Sequence, residues 1–210
     1  MVGGLSRESY FETGLDVLAD VGYGGLKLAE VCNRLGVTTG SFYHYFPPSW
    51  SAYTRELIGH WLQRRIDGMV VAHTEPNPRR RIDTIIKHAL SLPPHGAEAA
   101  IRVWSSLDPD VLAVQTEVDQ RRFDVMFDAA FEILGHANQA QVFASWSMYL
   151  LIGYEQATLP PRDAVGLRWV AEQMLDALDT GRFSSVPDVV EAPVYLEHAE
   201  PGRSLAPGGR

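Results

Sequence analysis

The sequence predicts an all-α chain, with an N-terminal three-helix unit followed by a larger helical domain. Three observations carry this. Apolar residues recur at helical spacing along most of the 210 residues. No strand-like alternation of four or more residues stands out before residue 183. Glycine and proline breaks cut the chain into lengths that suit helices.

Phe11, Leu15, Leu18 and Val21 form the first apolar stripe, and Gly22 ends it. Leu28, Val31, Cys32 and Leu35 form a second, shorter stripe that stops at Gly36. A third segment runs from Thr38, a side chain suited to an N-cap, to Phe46. Pro47-Pro48 closes it, because proline cannot continue a helix. Ser49 can cap a fourth helix carrying Trp50, Tyr53, Leu57, Ile58, Trp61 and Leu62 and reaching about Ala72. The polar stretch His73 to Pro78 follows as a break. Five further helices are expected near 79–91, 96–107, 109–134, 138–157 and 162–180. They are separated at Pro93-Pro94, Asp108-Pro109, Gly135 and Pro160-Pro161, with Asp108 and Pro109 reading as a cap and a first-turn proline. The expected division is 1–50 for the first unit and 51–182 for the second, with 51–72 as the connecting helix. Residues 183–210, rich in proline and glycine, read as an irregular tail.

Composition narrows the class. A chain 46% apolar and 21% charged is neither disordered nor a disulfide scaffold. Its one cysteine, Cys32, cannot form an internal disulfide, which favours a reducing compartment. No uncharged apolar run approaches the ~20 residues of a membrane span, and the first residues lack the pattern of a signal peptide. A soluble, cytoplasmic chain without a membrane partner is the expectation. The net charge is −8, yet residues 1–65 hold six basic and six acidic residues and are neutral. The remainder carries the whole negative balance.

The informative stretch is 27–46. Two short helices meet at a glycine, Gly36, where a left-handed backbone costs little. Cys32, four residues earlier, is small enough for the next helix to cross closely. Val31, Leu35, Val37, Phe42 and Tyr45 have the spacing to fill the angle between the two. This is the pattern of a helix-turn-helix, whose second helix enters the DNA major groove.

In its motifs the segment 6–60 resembles the N-terminal domain of the tetracycline-repressor family of one-component regulators. The matching elements are Gly22-Tyr23, then Val31-Cys32-Asn33-Arg34-Leu35-Gly36-Val37-Thr38, then Gly40-Ser41-Phe42-Tyr43-His44-Tyr45-Phe46. Cys32 stands where alanine is usual. Pro47-Pro48-Ser49-Trp50 replaces the usual small polar residue, lysine and acid. The resemblance implies a dimeric, ligand-responsive DNA-binding regulator, most simply a repressor released from a palindromic operator by a small hydrophobic or aromatic effector.

Chemistry and resemblance together nominate the DNA-binding residues. Thr38, Thr39, Gly40 and Ser41 open the recognition helix with hydroxyls and amide groups that suit phosphates or base edges. Tyr43 and His44 are expected on its outer face, Lys27 and Arg34 at the flanks, and Ser49 at the entry to the fourth helix. The recognition helix has no lysine or arginine, so one subunit binds weakly and two subunits reading two half-sites are expected.

The larger unit offers candidates only. A ligand pocket of mostly apolar walls with a few polar fixers would draw on Trp104, Phe123, Met126, Phe127, Trp146 and Tyr149, with His88, Arg102, Gln115 or Asp119 as the fixers. Pairing between subunits would use the last two helices, through Phe143, Leu150, Tyr154, Val165, Trp169 and Leu175.

Enzymatic readings fail. There is no phosphate-binding glycine loop, no histidine or cysteine spacing for a metal, and no cofactor signature. Asp108 and Asp110 are explained by capping. A helical ligand-binding or interaction module that has lost DNA binding is the alternative, motivated by the neutral N-terminal charge and the missing lysine near Ser49.

Overall fold

The structure is a computed structural model, and it describes residues 5–47, 49–91, 97–157 and 164–187. Within them the chain is helical throughout: α1 Arg7–Val21, α2 Leu28–Leu35, α3 Thr39–Tyr45, α4 Trp50–His73, α5 Pro78–Ser91, α6 Ala97–Ser105, α7 Pro109–Leu134, α8 Ala137–Gln156 and α9 Ala164–Asp179. Single 3-10 turns lie at Tyr23–Gly25 and Arg182–Ser185. No strand occurs among the described residues.

Local chemistry sets the ends. Ser6 and Ser9 cap each other at the start of α1. Gly22 ends that helix with a positive φ of 75°. The Asp108 carboxylate accepts the Asp110 and Val111 N–H groups at 3.0 and 3.4 Å, and Pro109 takes the first turn of α7. The proline pairs expected to break the chain at 93–94 and 160–161 lie outside the described residues, as does Pro48.

Two apolar cores form, and the first crosses the expected division at residue 50. Tyr10, Leu15, Val31, Phe42, Phe46, Tyr53 and Trp61 from α1 to α4 share it with Ile101 and Trp104 of α6 and Val111 and Val118 of α7. α1 therefore packs on α6 as well as on its own domain. The second core joins α5, α7, α8 and α9 through Ile82, Met126, Ala130, Phe143, Leu175 and Leu178. It also holds Phe183, whose ring packs edge-on against Phe143 at 5.5 Å. Residues 183–185, expected within an irregular tail, instead belong to a turn over 182–185 anchored by a buried aromatic ring. The rest of the expected tail, 188–210, lies outside the described residues.

No helix among the described residues is long and apolar enough to cross a membrane.

Candidate nucleic-acid interface and ligand cleft

The turn between α2 and α3 is built from backbone. Gly36 is left-handed at φ 66°, ψ 33°, and its N–H and that of Val37 return to the Cys32 and Asn33 carbonyls of α2. Thr38 then caps α3, its hydroxyl accepting the Ser41 N–H at 3.2 Å. Cys32 is buried beneath the crossing, and burial holds its thiol in the protonated form.

The inner face of α3 is fixed by rings. Phe42 and Phe46 are fully buried, and Phe42 meets Tyr10, Phe46, Trp50 and Tyr53 at centroid distances of 5.1 to 5.7 Å. The Tyr53 hydroxyl donates to the Tyr10 carbonyl at 2.8 Å, and Tyr45 donates to the Leu5 carbonyl at 2.9 Å. Arg7 lies over the Phe46 ring, donates to the Tyr45 carbonyl at 2.6 Å and pairs with Glu56. These contacts tie α1, α3 and α4 into one rigid body and leave the opposite face of α3 uncovered.

That uncovered face is Thr39, Gly40, Tyr43 and His44, all exposed. Tyr43 is 42% exposed although its ring rests edge-on against Phe42. Thr38 is exposed as well, but Ser41 is half-buried and its N–H is taken by the cap. Ser49 is half-buried, with its hydroxyl accepting the Ala52 N–H at 3.3 Å. Lys27 is exposed at the start of α2.

Arg34 differs from the expectation. Its guanidinium bonds to Glu30 at 2.8 Å and to Asp20 at 2.6 Å, and these acids hold its pKa above the usual value. Between α1 and α2 it is a neutralised cation, because two carboxylates already occupy its guanidinium. Sequence spacing could show the i, i+4 partner Glu30 but not Asp20, which comes from another helix. Arg55, exposed on α4 without an ion pair among the described residues, is the cation that sequence reasoning overlooked.

The larger unit contains an apolar cleft between α5, α7, α8 and α9. It encloses about 640 Å³, counting its open mouth. Of the ten expected ligand residues, Met126 alone is among those lining it, and His88 lines a smaller hollow of about 270 Å³ beside Gly68. The others are placed elsewhere. Trp104 is buried and stacked on Tyr23 at 5.1 Å, where it locks α6 against the first domain. Arg102 grips Asp119 through two hydrogen bonds of 2.7 and 2.9 Å, and Gln115 donates to the same carboxylate. Phe123 and Phe127 stack along α7 with Phe131. Trp146 and Tyr149 point to solvent, 53% and 70% exposed.

The expected dimer residues divide in the same way. Phe143 and Leu175 are buried in the chain's own second core and have no surface to offer a second copy. Leu150 lines the cleft, and Tyr154 is half-buried. Val165 and Trp169 are exposed on α9.

Sequence reasoning also missed a buried ionic network. Arg65 of α4 pairs with Glu98 of α6, which accepts the Trp61 indole N–H at 2.9 Å. Arg122 of α7 stands 3.7 Å from Glu98 and 3.5 Å from Glu155 of α8, and Arg102 reaches Glu155 at 3.2 Å. One signal was available. In α7 the buried positions run Val118, Arg122, Val125, Met126 and Ala129, so Arg122 occupies an apolar register.

The model of the family of bacterial regulatory proteins, tetR family, matches residues 11–49. Among curated proteins no sequence relative matches. Solved structures are similar over most of the chain. A transcriptional regulator from Rhodococcus sp. Rha1 is 20% identical, with a TM-score of 0.63 over 89% of this chain and 100% of its own. A TetR transcription regulator from Haloarcula marismortui is 13% identical, with a TM-score of 0.67 over 83% and 96%. AibR, solved with isovaleryl coenzyme A and operator DNA, is 15% identical, with a TM-score of 0.56 over 80% and 95%. The family model covers the helix-turn-helix just described, and the solved structures share the fold of most of the chain.

Proposed function

We propose that this chain is a regulator, a homodimeric repressor that docks α3 in the major groove of a palindromic operator and is released by a small effector held in the larger domain. The single observation that carries the DNA contact is the division of α3. One face is locked by Phe42 and Phe46, while Thr39, Gly40, Tyr43 and His44 stand uncovered on the other. Thr38 and Ser41 at the helix start and Lys27 at the flank complete the contact set, with Arg55 added and Arg34 demoted by its acid partners.

In this reading residues 1–50 are the DNA-binding domain and 51–182 bind effector and partner, with 51–72 connecting them. The similarity to AibR, which was solved with both a ligand and operator DNA, supports the pairing of the two functions. Exposed Trp146 and Tyr149 on α8, with Val165 and Trp169 on α9, supply the apolar surface for a second copy.

The test is a mobility-shift assay on the DNA upstream of the coding region, with footprinting. Tyr43→Ala and His44→Ala are expected to weaken binding at least about fivefold each while the protein stays folded, because base and phosphate contacts are each worth about 1–3 kcal/mol. Retained affinity in both, or sequence-selective binding by a strict monomer, would overturn the proposal. Absence of any selective binding by a folded dimer at low salt would favour the module that has lost DNA binding.

A further inference from the structure

The chemistry of the effector follows from the ionic network beside the cleft, and this step rests on the regulator reading above. The cleft walls are apolar, with Ile85, Met126, Phe143, Leu151, Leu167 and Met174 prominent. Polar side chains enter the lining at two positions, Ser147 and Arg122.

Arg122 is 5% exposed, and its Nη1 makes no hydrogen bond among the described residues. The acids around it each have another cation at shorter range. Asp119 is held by both terminal nitrogens of Arg102, and Glu155 by the same guanidinium. Glu98 Oε1 is taken by Arg65 and the Trp61 indole, while its buried Oε2 makes no hydrogen bond and stands 3.7 Å from Arg122 Nη2. Arg122 stands 3.5 to 3.7 Å from all three, within Coulomb range but without a hydrogen bond from Nη1. A buried cation with an unsatisfied donor is costly, and a charged acceptor reaching it recovers that cost.

We infer that the cleft takes an amphipathic organic anion, its apolar body among the α5, α8 and α9 side chains and its carboxylate on Arg122. A neutral apolar molecule fills the same space but leaves Nη1 unbonded. An organic cation would set its charge against a buried guanidinium. The network has three arginines for three acids, and Glu155, pushed up by burial and by nearby Glu98, is the acid readiest to take a proton when an anion enters. The network also has a route to the DNA-binding unit. Glu98 answers both Arg122 at the cleft and Trp61 and Arg65 on α4, the helix that leads out of the first domain.

Isothermal calorimetry without DNA tests this, with octanoate and 4-phenylbutyrate as carboxylates, 1-octanol as the neutral probe and octylamine as the cation. The expected result is a carboxylate bound at least about tenfold tighter than 1-octanol, with octylamine weaker than both, as a charged hydrogen bond implies. The charge-balanced double variant Arg122→Met with Glu155→Gln should lose that preference and keep its affinity for 1-octanol. Leu167→Trp, which crowds the cleft and leaves every charge in place, should weaken carboxylate and alcohol together. Binding of 1-octanol or octylamine as tight as the carboxylates overturns the inference. So does failure of both carboxylates to bind, or a preference that survives in the double variant. The mobility-shift assay is run separately, so its failure would sink the regulator reading while leaving the calorimetric preference to stand.

Discussion

Gly40→Ala separates folding from DNA contact, because the two readouts should move in opposite directions. Nothing in the fold requires glycine there. Among the described residues the positive-φ glycines are Gly22, Gly36, Gly135 and Gly181, and Gly40 lies within the helical span of α3. A Cβ built on Gly40 meets Thr38 Oγ1 at 3.7 Å, an ordinary contact, and nothing else within 4 Å. Replacing glycine by alanine inside a helix gains about 0.5–1 kcal/mol. In a chain of this size each kcal/mol moves Tm by roughly 2–4 °C. The variant should therefore melt about 1–4 °C higher by differential scanning calorimetry. Against DNA the sign reverses. The new methyl stands on the uncovered face beside Thr39, and forcing a methyl group into a packed contact costs about 1–3 kcal/mol. Operator affinity should fall at least about fivefold by fluorescence anisotropy, and further if both copies in a dimer bear the cost. A lower Tm would mean that the space at Gly40 is filled in a way the structure does not show. A higher Tm with unchanged affinity would place Gly40 off the duplex and refute the contact face.

Operator binding should depend only weakly on salt. In residues 5–57, Arg7 and Arg34 are occupied by acids, leaving Lys27 and Arg55 without ion pairs among the described residues. Two cations per subunit in a dimer give a slope of log K against log salt of about −3 to −4, and a slope steeper than about −6 would show that the paired arginines are released to phosphates. A pH effect on stability follows from His88. Burial, reinforced by Arg65, lowers its pKa below 6.5 against a hydrogen bond with the Arg64 backbone. The unfolded chain then binds the proton more readily, so this contribution is complete above pH 6.5 and is lost as pH falls below it. Between pH 7 and 5.5 the Tm of the wild type should fall more than that of His88→Gln, and equal falls would show that His88 is protonated without penalty.

The helices were legible because their signals are local. Gly22, Gly36, Gly135, Thr38, Ser49 and Asp108 act within a turn or two of their own position, and each ends or caps the helix expected of it. The motif in 27–46 was legible for the same reason, since its turn, small residue and aromatic positions are neighbours in sequence. Periodicity failed where a residue's fate is set by another helix. Phe143 and Leu175 sit on apolar stripes that suit either a core or an interface, and their burial against α7 and Phe183 decides for the core. Phe183 itself follows Gly181 in a stretch that reads as tail, and only the pocket left by Phe143 and Trp146 explains why it turns back.

Most of the ligand-binding candidates lie away from the cleft for a sharper reason. Aromatic content marks where surface is buried, and it is silent on what surrounds a hollow. Trp104 serves the joint between domains, the phenylalanines of α7 stack on one another, and Trp146 and Tyr149 face outward. The cleft is instead walled mostly by aliphatic and methionine side chains, with the Phe143 ring among them, and no motif distinguishes them. What does distinguish it is a charge in the wrong register. A cation at an apolar position of a long helix is tolerated only where acids from other helices meet it, and at Arg122 those acids are already held by Arg102, Arg65 and Trp61. The residue that breaks the pattern of α7 is therefore the one that gives the cleft a chemical preference. Through Glu98 it also joins the cleft to the helix that carries the recognition unit.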